Sequence, residues 1–283
     1  MALVSAAQIV DAACAAGRGA GAFNVIGIEH AEAIVTGAEA AGTGVVLQVS
    51  ENCVAYHGAL APIGAAMLAV ARAATVPVAV HLDHATSESL IIEAVGLGFG
   101  SVMYDASVLP YAANVQATAS IAAWCHEREL WVEAELGEVG GKDGVHAAGG
   151  RTDPEEAAGF VAATGVDALA VAVGSSHAML ARTAVLDLEL IGKIRAAVPV
   201  PLVLHGSSGV PDAVLSAAVA AGLTKINIAT QLNKVFTAAV RECLAADSAI
   251  VDPRRYLTKG RETVAEEVRR LLGVLGAKAG GYA

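Results

Sequence analysis

The sequence is poor in basic residues and has no run of them. Of 283 residues, 18 are Lys or Arg and 28 are Asp or Glu, so the formal net charge is −10 at pH 7. Proteins that bind nucleic acids need a basic patch to neutralise phosphates. The composition therefore argues against nucleic acid as a partner, and an anionic substrate would have to be held by local donors.

Long apolar runs without interruption are also missing, although hydrophobic residues make up 55% of the chain and the mean hydropathy is +0.57. The most apolar window, Cys53–Ala71, carries no charged side chain, yet His57, Gly58, Pro62 and Gly64 interrupt it. A membrane-spanning helix needs about 20 consecutive apolar residues. We therefore predict a core-facing helix preceded by a loop, and no membrane partner.

Signals for export and for paired cysteines are absent as well. Met1–Ser5 lacks the basic region of a secretory signal peptide. The four cysteines, Cys14, Cys53, Cys125 and Cys243, are scattered and form no CxxC pair. Such spacing is typical of reduced core thiols in a cytosolic protein. We expect a soluble, cytoplasmic protein.

What the sequence does contain is an alternation of apolar strand-like segments with alanine-rich helical segments. The predicted strands are Ala22–Val25, Val45–Ser50, Val78–Asp83, Ser101–Asp105, Trp131–Glu135, Ala168–Val173, Pro201–His205 and Lys225–Ile228. The predicted helices are Ser5–Ala16, Glu29–Ala41, Pro62–Ala74, Ser87–Leu97, Tyr111–Arg128, Pro154–Thr164, Leu188–Ala197, Pro211–Ala221, Gln231–Ala245 and Arg261–Leu275.

Eight strand–helix repeats are the pattern of a parallel (β/α)8 barrel, a TIM barrel, for which about 250 residues is typical. An open doubly wound sheet is the competing α/β fold, but it usually has a glycine-rich GxGxxG loop after its first strand. No such loop follows the first strand here. We predict one TIM-barrel domain over residues 1–283, with an extra N-terminal helix and a C-terminal helix.

Polar residues stand at the carboxyl ends of the predicted strands, where the active sites of such barrels lie. These residues are Asn24, Ser50, Asp83, His84, Asp105, Glu135, Ser175, Ser176, His177, His205, Gly206 and Asn227. Because the strands themselves are apolar, this regular placement of polar groups predicts a functional site at that end of the barrel.

Three of the eight histidines, His84, His177 and His205, are among these strand-end residues. One such histidine alone would be read as a hydrogen-bonded, partly buried side chain. Three neutral imidazoles that converge in a cleft are typical of a catalytic Zn²⁺ site. His81 lies inside a strand and is expected in the core or behind the metal ligands. The remaining histidines, for which we expect no metal contact, are His30, His57, His126 and His146.

Two loops near the end of the chain have the composition of a phosphate-binding site. Ser207–Gly209 follows the seventh strand, and Asn227–Thr230 follows the eighth. Both lead into predicted helices, whose first backbone N–H groups bind anions. We therefore expect a phosphorylated substrate. The long glycine-rich loop 137–151 is expected to cover or bind it.

Six segments together resemble one enzyme family. They are Ala22-Phe23-Asn24, Asp83-His84, Val132-Glu133-Ala134-Glu135-Leu136-Gly137, Val173-Gly174-Ser175-Ser176-His177, Leu204-His205-Gly206-Ser207-Ser208-Gly209 and Lys225-Ile226-Asn227-Ile228-Ala229-Thr230. From about Ser5 to Arg270 the chain resembles the class II, metal-dependent ketose-bisphosphate aldolases, which include fructose- and tagatose-1,6-bisphosphate aldolases.

The resemblance implies a role for each matching residue. His84, His177 and His205 would bind zinc, and Asp83 would be the acid and base on the C4 hydroxyl. Asp105 and Glu135 match acids that hold an alternative, deeper metal position. The residues implied in binding the substrate, dihydroxyacetone phosphate included, are Asn24, Ser50, Ala178, Gly206, Ser208, Asn227, Ala229, Thr230 and, for the second phosphate, Arg254.

The resemblance also implies a monovalent cation, Na⁺ or K⁺, held by backbone carbonyls around Ser176, Ala178 and Gly206, and a homodimer or homotetramer. The chain departs from the family pattern at Ala178, where glycine is usual, and at Ser207-Ser208. In the loop after the fifth strand the family often has a glutamate as the base on the nucleophilic carbon. Here the nearest carboxylate is Asp143, to which we assign that catalytic role.

Alternatives remain open at this stage. A second aldol substrate would be the phosphorylated keto-deoxy acid of inositol breakdown. A lysine Schiff base is the other chemical route to the same cleavage, and Lys225 on the eighth strand is the candidate. The chain is also compatible with a non-catalytic barrel that stabilises an aldolase partner, although such a subunit would be expected to have lost a metal ligand or Asp83.

Overall fold

Eight parallel strands close into a barrel in the computed structural model, which describes residues 2–137, 150–177 and 179–276. Each strand pairs with the next along the chain, and the last pairs with the first. The strands are β1 Ala20–Asn24, β2 Val45–Ser50, β3 Val78–Ala85, β4 Ser101–Tyr104, β5 Trp131–Leu136, β6 Ala168–Val171, β7 Leu202–Leu204 and β8 Leu223–Ile228. The predicted TIM-barrel fold is confirmed.

The helices lie between the strands and at both ends of the described chain. They are α1 Ala6–Ala15, α2 Ile28–Ala41, α3 Glu51–His57, α4 Leu60–Ala73, α5 Glu88–Leu97, α6 Tyr111–His126, α7 Pro154–Thr164, α8 Leu188–Ala197, α9 Asp212–Ala221, α10 Thr230–Ala246 and α11 Pro253–Gly276, with a 3-10 turn at Ser207–Gly209. The caps are local: the Asp153 side chain, for example, accepts from the backbone N–H groups of Glu155 and Glu156.

Helix α3 corrects the sequence analysis, which expected a loop before α4. The Ser50 hydroxyl accepts from the backbone N–H of Cys53 at 3.3 Å and caps the helix. Gly58, with a φ of +78°, ends the helix in the left-handed region that glycine tolerates. Seven residues are too few to show a helical period. The signal in the sequence was the cap, Ser50 followed by the acidic Glu51.

Helix α11 begins at Pro253, eight residues before the predicted start at Arg261. Asp252 caps it, because its carboxylate accepts from the backbone N–H of Arg254 at 3.0 Å. Proline is well suited to the first helical turn, since its missing N–H would have no partner there. The apolar side of α11, including Val264 and Val268, is buried.

The barrel interior changes from apolar to polar along its axis. Near the amino ends of the strands an apolar cluster packs on α1, and its strand members include Ala22, Val46, Ala79, Met103, Trp131 and Val203. Two positions later on each strand, or just past its end, come Asn24, Gln48, His81, Asp105, Glu133 and His205. Because side chains of a strand alternate between its faces, these polar residues also point inward.

The cysteines depart from the expectation of four core thiols. Cys53 and Cys125 are buried, but Cys14 is exposed and Cys243 is half-buried. All four are free thiols. Cys14 lies on the outer face of α1, and Cys243 lies on α10. A side chain as small as that of cysteine can occupy either the buried or the exposed face of a helix, so its presence did not predict burial.

No single helix in the described part of the chain is long and apolar enough to cross a membrane. Helices α3 and α4 reach that length and composition only when taken together, and they meet at a bend of 112°. This pair covers the apolar window that the sequence analysis singled out.

A test of the helix packing is available at Gly37, where α2 crosses α11. A Cβ atom at Gly37 would lie 2.5 Å from the carbonyl oxygen of Ala265 and 2.8 Å from Cβ of Val268. We expect Gly37→Ala to destabilise the protein by about 1–3 kcal/mol, because the helices must move apart.

Gly192, in the middle of α8, provides the matched control, because a Cβ there meets nothing within 4 Å. Gly192→Ala should stabilise the protein by about 0.5–1 kcal/mol through helix propensity alone. Urea unfolding of both variants measures the two effects. A Gly37→Ala variant as stable as the Gly192→Ala variant would show that α2 and α11 do not pack this closely.

Candidate metal centre and substrate cavity

Three imidazole rings converge above the carboxyl ends of the strands. His84 comes from β3, while His177 and His205 follow β6 and β7. Their ring centroids are 4.6–5.7 Å apart. One nitrogen from each ring lies within 4.8 Å of the others, a separation at which the three can share one ion. The structure therefore brings together the three histidines that the sequence singled out.

In two of these rings, the nitrogen that points away from the other imidazoles contacts a carboxylate. His84 Nδ1 lies 2.8 Å from Oδ2 of Asp105, and His205 Nε2 lies 2.9 Å from Oε1 of Glu133. A carboxylate accepts hydrogen bonds, so each of these nitrogens carries the ring proton. Carboxylates placed behind histidines in this way set the tautomer and orientation of metal ligands.

The inner nitrogens of the same two rings then face each other as lone pairs. His84 Nε2 and His205 Nδ1 are 2.8 Å apart. Two lone pairs at that distance repel unless a proton or a metal ion lies between them. Around a tetrahedral zinc ion with Zn–N bonds of about 2.0–2.1 Å, neighbouring nitrogens lie about 3.3 Å apart. The rings thus fit a zinc-sized cation after opening by about half an ångström.

The protonation state of His205 suits a metal ligand. The ring is fully buried. Burial lowers the pKa of His205 well below its usual value, and the neighbouring His84 lowers it further. A ligand imidazole must be neutral to offer a lone pair, and this ring is neutral at physiological pH.

His84 has an unusual backbone that explains how two adjacent residues reach one site. Its φ is +51°, in the left-handed region, and the register between β3 and β4 shifts between Leu82 and Ala85. In a regular strand Asp83 and His84 would point to opposite faces. The irregularity turns both side chains toward the cavity, at a conformational cost of about 1–3 kcal/mol of the kind found at functional sites.

Asp83 lies beside the imidazoles and is surrounded by side-chain amides. Its Oδ2 accepts from Gln48 Nε2 at 3.2 Å and from Asn24 Nδ2 at 3.4 Å. Its Oδ1 accepts from Asn227 Nδ2 at 3.4 Å. These neutral donors hold the carboxylate in place without an ion pair. Gln48 was missed by the sequence analysis, although it precedes Ser50 by two positions on the same strand face.

A buried charged network lies beneath the metal centre. Glu133 Oε2 is 2.8 Å from Nζ of Lys225, and both side chains are inaccessible to solvent. Lys225 Nζ also donates to Oδ1 of Asn227 at 2.8 Å. The sequence analysis assigned no site role to Glu133 and did not predict its ion pair with Lys225. Both Glu133 and Lys225 lie inside strands, whereas the analysis looked for site residues at strand ends.

His81 belongs to this deeper layer rather than to the metal centre. Its Nδ1 is 2.9 Å from the hydroxyl of Ser101. Burial, followed by the charge of Lys225, lowers the pKa of His81 well below its usual value. His81, Asp83 and Glu133 also come within ion-sharing distance of one another. The ammonium group of Lys225 already neutralises Glu133 there, so we do not assign a second metal to that cluster.

Asp105 and Glu135 form a third potential ligand group with His84, with all ligand atoms within 4.8 Å. Asp105 accepts from the Ser107 hydroxyl at 2.6 Å and from its backbone N–H at 3.2 Å. Glu135 is fully buried in β5. The geometry is compatible with the deeper metal position that the family resemblance implies.

The metal centre opens into a cavity of about 540 Å³. Its lining includes the predicted residues Asn24, Ser50, Asp83, His84, Asp105, His177, His205, Gly206, Ser208, Asn227, Ala229 and Thr230. Further lining residues that were not predicted are Glu51, Asn52, Ala55, Thr86 and Val108. A larger cavity of about 770 Å³ lies between α1, α2 and α11. That cavity is at the opposite end of the barrel and holds none of the predicted site residues.

One side of the smaller cavity has the backbone features of a candidate anion-binding site. Gly206 has a φ of +67°, and a Cβ on it would lie 2.6 Å from the carbonyl of Ser176, so only glycine lets these loops meet. The Ser208 hydroxyl accepts from the backbone N–H of Gln231 at 3.1 Å. Helix α10 begins here at Thr230, and its N-cap residue, Ala229, makes no side-chain cap. A phosphate group at this helix start would bind the remaining backbone N–H groups.

Of the predicted residues that the structure describes, Glu135 and Arg254 do not line the cavity. Arg254 lies exposed at the start of α11, where it pairs with Asp252 at 2.7 Å, and it does not line the cavity. Asp143 and Ala178 lie outside the described residues. Among the described lining residues there is no Lys or Arg. A second phosphate on the substrate would therefore need a cation from elsewhere.

Comparison with known proteins agrees with the fold. A family model described as fructose-bisphosphate aldolase class-II matches residues 4–279. The chain is similar to the YdjI aldolase from Escherichia coli K12, with 31% identity over 98% of each chain and a TM-score of 0.84. It is also similar to a protein from Coccidioides immitis assigned as a fructose-1,6-biphosphate aldolase, with 28% identity over 96% of each chain and a TM-score of 0.84.

A fructose-bisphosphate aldolase from Campylobacter jejuni is more distant in sequence, with 23% identity. The match covers 98% of this chain and 96% of that one, with a TM-score of 0.79. At this identity the likeness supports the fold alone.

Proposed function

Because the chain belongs to the class II fructose-bisphosphate aldolase family, we propose that it reversibly cleaves fructose or tagatose 1,6-bisphosphate to dihydroxyacetone phosphate and glyceraldehyde 3-phosphate. The observation that carries this proposal is the convergence of His84, His177 and His205 beside Asp83 in one cavity. A carboxylate base beside a Lewis-acid metal ion is what the metal-dependent cleavage of a β-hydroxy ketone needs.

His84, His177 and His205 would hold one Zn²⁺ through the nitrogens that face one another. When bound, the ion supplies Lewis-acid polarisation of the substrate ketone, which stabilises charge on its oxygen by several kcal/mol. Asp105, Glu135 and His84 offer the same ion an alternative position. A donor set of neutral imidazoles with carboxylates behind them supports zinc rather than Mg²⁺ or Ca²⁺, which prefer oxygen ligands.

Asp83 would remove the proton from the C4 hydroxyl as the C3–C4 bond breaks, and return it during condensation. Its three amide neighbours only donate to it, so its oxygens are held in position and remain acceptors. General base catalysis of this kind contributes about 10²–10⁴-fold to a rate. Placing the base on a strand of the barrel, rather than on a mobile loop, keeps it aligned with the bound substrate.

The anion-binding side of the cavity would hold the phosphate of the dihydroxyacetone half. Ser208, Ala229 and Thr230 line it, together with Gly206. Asn227 stands between this side and Asp83, and its amide N–H would bind a substrate hydroxyl. Asn24 and Ser50 line the rest of the cavity. We further propose a monovalent cation near the phosphate, as the resemblance implies.

Two proposed roles rest on the resemblance alone. Asp143 would exchange the proton on the nucleophilic carbon once the glycine-rich loop covers the site. Arg254 would bind the second phosphate, although it lies outside the cavity of this chain. We also keep the proposals of a homodimer or homotetramer and of a cytoplasmic location.

The Schiff-base alternative is disfavoured by the position of Lys225. Its Nζ lies in an ion pair with Glu133 and does not line the cavity. A nucleophilic amine must be neutral and must reach the substrate carbonyl. The presence of three imidazoles and Asp83 in one cavity also argues against a non-catalytic accessory barrel.

A coupled assay of triose phosphate release tests the proposed function. We expect turnover of fructose or tagatose 1,6-bisphosphate that is abolished by EDTA and restored by added Zn²⁺ or Co²⁺. Fructose 1-phosphate in the same assay shows whether the second phosphate is needed. Activity that survives full removal of metal, together with trapping of a substrate adduct by borohydride, would contradict the metal mechanism and indicate a Schiff base on Lys225.

If neither bisphosphate is cleaved, the phosphorylated keto-deoxy acid of inositol breakdown is the next substrate to assay. A protein that binds Zn²⁺ but cleaves none of these substrates would contradict the proposed function and favour the accessory-subunit reading.

The role of Asp83 is tested by Asp83→Asn, which keeps the shape of the side chain. We expect kcat to fall by about 10²–10⁴-fold, because the general base is lost, while the zinc content stays at the wild-type level. Asp11→Asn on the outer face of α1 is the control and should leave both quantities unchanged. Wild-type turnover in Asp83→Asn would remove Asp83 from the mechanism.

A further inference from the structure

The ammonium group of Lys225 is buried within the polar layer of the barrel. Lys225 has 0% of its surface exposed, and its Nζ contacts Oε2 of Glu133 and Oδ1 of Asn227, each at 2.8 Å. A lysine is almost never fully buried unless it is paired. Neither the metal centre nor the proposed proton transfer uses this side chain directly, so its burial needs another explanation.

Each partner of Lys225 in turn contacts a group of the proposed active site. The other oxygen of Glu133, Oε1, is 2.9 Å from Nε2 of His205. The amide nitrogen of Asn227 is 3.4 Å from Oδ1 of Asp83. The two branches that start at Lys225 therefore end at a proposed metal ligand and at the proposed base.

We propose that Lys225 is a positioning residue that sets the orientation of both groups. Through Glu133 it keeps the ring proton of His205 on Nε2, so that Nδ1 faces the metal site. Through a direct hydrogen bond it fixes the amide of Asn227, so that its NH₂ group faces Asp83. The second branch rests on the proposed function, whereas the first concerns metal binding alone.

The Asn227 branch follows from the chemistry of an ammonium group. Lys225 can only donate, so the atom of Asn227 that faces it is the carbonyl oxygen. The NH₂ group is thereby directed to Asp83, which can only accept while ionised. If the amide were to flip, its oxygen would face the Asp83 carboxylate and two acceptors would repel. Lys225 excludes that flipped state.

The His205 branch explains which of the two ring nitrogens of His205 carries the proton. His205 Nε2 has the Glu133 carboxylate at 2.9 Å and the Asn227 NH₂ group at 3.1 Å as neighbours. The amide nitrogen is a donor, so it would favour a lone pair on Nε2, whereas the carboxylate favours a proton there. The contact to Lys225 holds the Glu133 carboxylate in place to accept a hydrogen bond from Nε2–H of His205. The lone pair of the ring is then on Nδ1.

The test replaces Lys225 by methionine, which has a similar length and no donor. In the zinc-free protein, ¹⁵N-labelled histidine should show His205 as a single Nε2–H tautomer in the wild type and as a mixture in Lys225→Met. Zinc affinity, measured by competition with a chelating dye, should fall by about 10–100-fold, the usual effect of changing groups behind a metal ligand. At saturating zinc, kcat should fall more than KM changes.

Ser216→Ala is the control for a general loss of stability. The buried Ser216 hydroxyl donates to the carbonyl oxygen of Val274 at 3.0 Å, away from the network. This variant should keep the wild-type tautomer, zinc affinity and kcat even though it loses a buried hydrogen bond.

A second variant keeps the proposal testable if Lys225→Met does not fold. The double variant Lys225→Met with Glu133→Gln removes both buried charges and keeps an amide oxygen near His205. It should fold and regain most of the zinc affinity, while kcat remains low because Asn227 is still free to flip.

The outcomes separate the two proposals. A folded Lys225→Met protein with the wild-type His205 tautomer and zinc affinity would overturn the positioning role at His205. A double variant with wild-type kcat would overturn the role at Asn227. If the wild type shows no aldolase activity, the proposed function fails, but the tautomer and zinc measurements still decide the His205 branch.

Discussion

Two imidazole nitrogens held 2.8 Å apart are the constraint on which the rest of the site depends. His84 and His205 cannot turn away from each other, because the opposite nitrogen of each ring contacts a carboxylate, Asp105 or Glu133. The two inner nitrogens are thus held at a distance at which one proton or one metal ion can be shared between them. The strained backbone of His84 and the low pKa of the His205 ring serve the same arrangement.

The barrel makes this arrangement possible by separating its interior into two layers. An apolar layer packed on α1 closes the amino end, so that polar groups can be concentrated at the other end. Within the polar layer, unpaired charges would be costly. Glu133 and Lys225 offset each other, and Asp83 is surrounded by amides rather than cations. Asp83, the proposed base, therefore has no ion pair to break.

The sequence predicted the fold and the strand-end residues well, because both follow from simple periodicity. Eight apolar segments implied a closed barrel, and polar residues at the segment ends implied a shared site. Gln48 and Glu133 were missed, since a polar residue inside an apolar strand gives no sign of which face it occupies until the register is known. Helix α3 was too short to show a period. The position of Arg254, predicted from resemblance, depends on how α11 is placed and carries no local signal.

X-ray absorption at the zinc edge of the metal-loaded protein tests the central claim most directly. The account predicts three imidazole nitrogens at about 2.0–2.1 Å and no sulfur at about 2.3 Å. Replacing His177 by alanine should reduce the number of imidazole ligands to two. A zinc environment made of oxygen ligands, or one that is unchanged in the His177→Ala protein, would contradict the account.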